Sequence, residues 1–173
     1  MSGLYSIPVS GQREGHNSFN FEINNKFFDL FKESEIKEGI LSVIIEAEKH
    51  ASHIDLEIII KGSVRVSCDR CLGMFDYPEE CENRLVIRFG EEKEEEEADV
   101  ITLPRDKNEF DMAQYIYDLI NLSLPIKRIH PDDSNGNSTC DPVMLGMLKE
   151  HLIDKEIKED PRWADLKKFM NGN

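Results

Sequence analysis

From Ile40 to Lys49 the chain alternates, with Leu41, Val43, Ile45 and Ala47 on one side and Ser42, Glu46 and Glu48 on the other; Ile44 is the exception. A period of two is that of a strand with one buried face. The next run repeats it, Ile54, Leu56, Ile58 and Ile60 opposing Asp55, Glu57 and Ile59, and the connection from His50 to His53 is short enough for a hairpin. Upstream, Phe19, Phe21 and Ile23 alternate with Asn20 and Glu22 in a shorter strand. Asn24-Asn25 breaks that strand, and KFFDLF adds a helical turn before Glu38-Gly39. Gly62 permits a bend or bulge, after which Val64 and Val66 carry the sheet into the stretch VRVSCDRCLGMF, Val64 to Phe75. Met74 to Tyr77 begins a return strand, and Leu85, Ile87 and Phe89 alternate with Arg84, Val86 and Arg88 up to Gly90. Successive strands joined by short turns predict an antiparallel meander. No repeat of strand, long helix and strand occurs, which argues against a doubly wound parallel fold.

Past residue 110 the period changes to 3.6. From Asp111, Ala113, Ile116, Tyr117 and Ile120 fall on one helical face, and Pro125 ends the helix by removing a donor and restricting Leu124. LPIKRIHPDDSNGNSTC then reads as loop. Asp141-Pro142 and Asp160-Pro161 each announce a further helix, Asp capping free amides and Pro taking the first helical position. The second of these puts Trp163, Leu166 and Phe169 or Met170 on one side. The expected class is α+β: an antiparallel sheet or partial barrel in the N-terminal half, covered by helices of the C-terminal half. A single domain over residues 1–173 is expected, with a β-rich half over residues 1–90, an acidic linker over 91–109 and a helical half over 110–173.

Charge narrows the functions available. Lys plus Arg number 21 against 35 Asp plus Glu, a net charge of -14, which opposes wrapping around nucleic acid by bulk electrostatics, so any RNA contact must be local. Residues 91–99, EEKEEEEAD, hold seven acids and one lysine and so contribute -6, leaving -14 minus -6, or -8, for the rest. Such a run reads as a solvated linker, or else as a nucleic-acid mimic or a docking tail for a basic ribosomal protein. No leader pattern and no apolar run of about 20 residues is present, so a cytoplasmic protein with no membrane contact is expected. The four cysteines are then thiols or metal ligands rather than disulfides.

Cys68-x-x-Cys71 can direct two sulfurs at one tetrahedral metal, with bonds of about 2.3 Å, but two ligands do not close a site. Cys140 and His130, in one loop after the helix, are the candidates to complete it. Three readings of these residues stand side by side: a zinc site, ordinary buried thiols, and a dithiol redox pair. The last lacks the helix N-terminus that stabilises a thioredoxin-type thiolate, because Leu72-Gly73-Met74 leads back into a strand. Cys81, among Glu79, Glu80 and Glu82, should have a raised thiol pKa and be structural or exposed filler. His16, His50, His53, His130 and His151 occupy polar surroundings, and no catalytic motif accompanies them, so an enzyme is not expected.

Three blocks carry a family resemblance: Cys68-Asp69-Arg70-Cys71-Leu72 after a strand, Asp111 to His130 with its Leu-Ser-Leu-Pro centre, and Asp160-Pro161-Arg162-Trp163-Ala164-Asp165-Leu166-Lys167-Lys168. In order and spacing, from about Phe19 to the C-terminus, the chain resembles the YceD-like proteins, the large ribosomal RNA subunit accumulation family. The resemblance implies a noncatalytic bacterial factor in large-subunit biogenesis, needed for accumulation of 23S ribosomal RNA. Its partner would be ribosomal RNA or a large-subunit ribosomal protein, with no small-molecule substrate. Many members carry more cysteines in the loop after the helix, like a zinc ribbon; this chain keeps Cys140 alone there. His130 and Cys140 match positions where members place His or Cys, which favours a zinc site of Cys68, Cys71, His130 and Cys140. A local basic surface of Arg65, Arg70, Lys127 and Arg128 beside that site would meet RNA phosphates. The alternatives are an acidic protein-interaction module that never touches RNA, and a CxxC redox protein.

Overall fold

A computed structural model describes residues 3–11, 14–90 and 99–152 of the chain. The helix expected from Asp160-Pro161 and nearly all of the acidic run lie outside the described residues. Strand β1 (Ser6–Pro8) precedes β2 (Gly15–Ile23), the short helix α1 (Asn25–Phe28) and β3 (Gly39–Lys49). The long strands β4 (His53–Ser67) and β5 (Met74–Phe89) follow, then β6 (Val100–Leu103), β7 (Glu109–Asp111), α2 (Ala113–Ser123) and α3 (Pro142–His151).

The main sheet has five strands in the order β2-β3-β4-β5-β6, while β1 and β7 pair separately. The first four strands form the expected antiparallel meander, with Ile45 opposite Ile58 and Leu56 opposite Leu85. Two features differ from expectation. β6 runs parallel to β5, Val86 opposite Val100, against the antiparallel expectation, and the sheet ends at β2 and β6, so that of the two forms expected the open sheet and not the partial barrel is present. Both β6 and the start of β7 fall in the stretch 91–109 expected as linker. Their apolar runs are too short for periodicity to register.

Alternation decides which face is buried. Leu41, Val43, Ile45, Ile54, Leu56, Ile58, Ile60, Leu85 and Ile87 are all shielded from solvent, whereas Ile40 on the opposite face is 77% exposed. Gly62 is an exposed position of β4 where the neighbouring β3 backbone leaves no room for a side chain. A Cβ there would overlap the Ile40 carbonyl oxygen, and its φ of +155° is itself unsuited to an L side chain. Asn24 caps α1 by accepting from the Lys26 amide at 3.0 Å, and Phe27 and Phe28 go fully into the core.

Helix α2 lies on the core, burying Ile116, Leu119 and Ile120, and Tyr115 donates to the Asn83 amide oxygen of β5 at 3.1 Å. It ends at Ser123 with Leu124 extended, as the restriction imposed by Pro125 requires. Helix α3 starts as expected, Asp141 accepting from the Val143 amide at 2.8 Å, but it buries none of its residues. The C-terminal cover therefore comes from α2 among the described helices. In β5, Glu79 faces the core opposite Gly62 and is 4% exposed, with Oε2 lacking a hydrogen-bond partner among the described residues. Burial pushes its carboxyl up, opposed by a hydrogen bond from Ser123.

Candidate metal centre and its surroundings

Strands β4 and β5 are joined by the cysteine turn. The Cys68 amide donates to the Gly73 carbonyl and the Leu72 amide to the Cys68 carbonyl, each at 2.9 Å. To make that tight return Leu72 takes a φ of +60°, an uncommon choice for a branched side chain. The Arg70 amide points at Cys68 Sγ, 3.4 Å away. A short loop thus presents both sulfurs inward; Cys68 is fully buried and Cys71 nearly so.

The other half of the centre comes from the loop after α2. Asp132 bridges to Ser138, the Asp133 carboxylate accepts from the Asn135 and Asn137 amides at 2.9 and 2.8 Å, and Thr139 donates to the Pro131 carbonyl at 2.7 Å. The Asn137 amide, with its side chain, holds the Asp133 carboxyl below its ordinary value. This miniature hairpin folds the chain back so that Cys140 returns beside His130. Phe75 faces the His130 imidazole with ring centroids 4.6 Å apart, and a Cβ on Gly73 would sit 3.5 Å from both Cys71 Sγ and His130 Cε1.

Cys68, Cys71, His130 and Cys140 converge, their ligand atoms all within 4.8 Å of one another. Cys68 and Cys140 Sγ are 3.7 Å apart, and His130 Nδ1 is 3.4 Å from Cys71 Sγ and 3.8 Å from Cys140 Sγ. Tetrahedral zinc, with bonds of about 2.3 Å to sulfur and about 2.05 Å to nitrogen, separates sulfurs by about 3.8 Å and sulfur from nitrogen by about 3.6 Å. The cage therefore has the dimensions of such an ion, and its sulfurs are too far apart for a disulfide. Ionisation is prepared as well. Burial works against the Cys68 thiolate, but the amides of Cys71, Arg70 and His130 and the His130 ring together bring the thiol down to about 5. Cys140 is pushed up: a hydrogen bond with Ser138 favours its thiolate, but burial and the neighbouring Cys68 and Cys71 outweigh it. Cys81 lies apart from the cage, half-buried, and burial followed by the Glu79 charge raises its thiol.

The four cations named from the sequence flank this centre in two different ways. Arg65 is committed to Glu38 at 3.6 Å and Asp76 at 3.7 Å, and Arg128 to Glu35 at 2.9 Å, with the hydrogen bond to Glu35 raising the guanidinium pKa. Arg70 donates to the Ser138 hydroxyl at 3.4 Å, and neither it nor Lys127 forms an ion pair among the described residues. Two large apolar residues of the same loops are solvent-exposed, Leu72 at 70% and Ile126 fully. Sequence reasoning missed three supporting residues, Asp69, Gly73 and Phe75. Gly73 and Phe75 carry no signal by themselves, whereas Asp69 inside the CxxC turn is a residue type that caps backbone amides.

Residues 56–170 match the model of a protein family described as large ribosomal RNA subunit accumulation protein YceD. Neither a curated protein nor a solved structure matches the chain.

Proposed function

The chain belongs to the YceD family of large ribosomal RNA subunit accumulation proteins, and from that premise we propose that it is a noncatalytic factor in large-subunit biogenesis, supporting 23S rRNA accumulation by contacting ribosomal RNA. The contact surface is the outer side of the joint between the cysteine turn and the 126–140 loop. One observation carries this reading: in a chain of net charge -14, Arg70 and Lys127 stand on two loops locked to each other and form no ion pair among the described residues. An arginine fork and a lysine fixed on rigid loops suit phosphate oxygens. Arg65 and Arg128, engaged with carboxylates, contribute less charge and more positioning. In this reading zinc closes the four-ligand cage and acts structurally, since three thiolates and an imidazole leave no open position for a reactant. The site of action is the cytoplasm, where ribosomes are assembled.

Exposed Leu72 and Ile126 support a second reading, in which the same surface docks on an early large-subunit ribosomal protein. Capture of ribosomal components by the full-length protein, with and without ribonuclease, separates the two. Loss of all components after digestion supports RNA contact, and retention of a ribosomal protein supports the second reading. For the RNA contact, affinity should fall with salt, and R70A/K127A should lower the steepness of that dependence by roughly two phosphate contacts, since each contributes about 0.7–0.9 to the logarithmic slope. An unchanged slope in that variant excludes the surface as the RNA site.

A further inference from the structure

The opposite end of β4 from the cysteine turn, roughly 40–50 Å away along the strand, carries a second group of metal-ligating atoms. The β3–β4 hairpin closes with the His50 amide donating to the His53 carbonyl at 2.9 Å. His50 and His53 flank this tight turn, and Asp55 follows two residues into β4. Asp55 Oδ2 lies 3.2 Å from His50 Nε2 and 3.4 Å from His53 Nε2, and the three ligand atoms fall within 4.8 Å of one another. A tetrahedral ion with bonds of about 2.05 Å separates its oxygen and nitrogen ligands by about 3.3 Å. The Ser52 hydroxyl stands 3.0 Å from His53 Nδ1, leaving Nε2 to face the carboxylate.

Electrostatics on the same outer face point the same way. Register places Glu48 directly opposite Asp55 and Glu46 directly opposite Glu57, two like-charge pairs of a kind that destabilises a sheet. At the second pair Arg84 reaches Glu57 at 3.2 Å, and the Ser18 hydroxyl donates to Glu46 at 2.8 Å. At the first, Glu48 and Asp55 are met by imidazoles, His16 lying 3.8 Å from Glu48. A cation held between His50, His53 and Asp55 relieves that repulsion.

We propose that His50, His53 and Asp55 form a second, surface metal site for a borderline divalent transition ion such as Zn(II). Two imidazoles and one carboxylate suit that class of ion and not the hard, oxygen-seeking Mg(II) or Ca(II). The imidazoles are stacked, with centroids 4.6 Å apart, so binding turns one of them out of the stack; both side chains are about a third or more exposed and have room to do so. Three protein ligands leave the ion exchangeable, in contrast to the closed cage at the cysteine turn.

Full-length protein, as purified, is equilibrated with Zn(II), freed of unbound metal, and assayed for zinc per chain, with calorimetric titration alongside. The parent should take up one equivalent more than H50Q/H53Q, and D55N should weaken that equivalent at least about tenfold. C68S should retain it, which separates this site from the four-ligand cage. Circular dichroism matching the parent confirms that the turn variants fold. Equal zinc uptake by parent and H50Q/H53Q, or an unchanged titration in D55N, overturns the proposal.

Discussion

Asp69 and Arg128, 59 positions apart in sequence, grip each other twice: the Asp69 amide donates to the Arg128 carbonyl at 2.7 Å, and the Arg128 amide donates to the Asp69 carboxylate at 2.6 Å. This clasp fixes the cysteine turn against the loop that supplies His130 and Cys140, without itself offering a ligand. D69A should therefore weaken metal binding at the cage by about 10–100-fold, as loss of an outer-shell partner does. Competition against a chromophoric chelator measures it, and affinity equal to that of the parent would show that the clasp is dispensable.

Chelating the zinc proposed for the cage should loosen the whole joint. With binding contributing roughly 3 kcal/mol to the folded state, chelation should lower the melting temperature by about 6–12 °C, at 2–4 °C per kcal/mol for a chain of this size. C68S should melt near the chelated parent and respond little to chelator. In metal-free protein the Cys68 thiolate adds its own pH dependence. The folded thiol, at about 5, lies below its ordinary value of 9.0, so its contribution is complete above pH 9 and is lost as pH falls towards 5. Stability against urea across that range, compared with C68S, reads this contribution.

Glu79 runs in the other direction. Its carboxyl is raised by burial, so the folded state holds its proton more tightly than the unfolded chain, and stability declines as pH rises through the carboxylate range. E79Q removes the ionisation. The variant should gain on the parent by about 1 kcal/mol at pH 7 and lose that advantage near pH 4, as the usual cost of an unsatisfied buried polar group suggests. Urea denaturation at the two pH values tests the crossover.

Gly62 offers a purely steric test. G62A places a methyl group against the Ile40 carbonyl at a backbone angle that alanine avoids, so a loss of at least about 3 kcal/mol is expected. Equilibrium denaturation gives the value directly. A loss below about 1 kcal/mol would mean that β3 and β4 can separate locally at little cost.

Much of this arrangement is legible in the sequence where residues alternate without interruption. β3 and the first half of β4 follow directly from Leu41 to Ala47 and from Ile54 to Ile60. β5 is harder, because Glu79, Cys81 and Asn83 occupy core-side positions where apolar residues would announce a strand, and Pro78 interrupts further. One 16-residue strand therefore reads as two fragments. The parallel seating of β6 has no local signature, since it depends on where the chain re-enters the sheet rather than on which residues it contains. Of the cage, Cys68 and Cys71 announce themselves by spacing, while His130 and Cys140 become persuasive only through the family pattern and the loop that folds them together. The polarity of the four proposed RNA-facing cations is legible, but the carboxylates that occupy Arg65 and Arg128 are not, because Glu35, Glu38 and Asp76 approach through tertiary structure.

The separation of 72 positions between Cys68 and Cys140 also sets an order of events during synthesis. At about 5–20 residues per second, the thiol pair waits roughly 4–14 s after it is made before its last partner exists. Within that interval β5 is itself made and can pair with β4, while the two sulfurs have neither His130 nor Cys140 beside them. The four side chains of the cage thus come together only after the whole β2–β5 meander has been made, and the outer surface of the joint takes shape no earlier than Cys140.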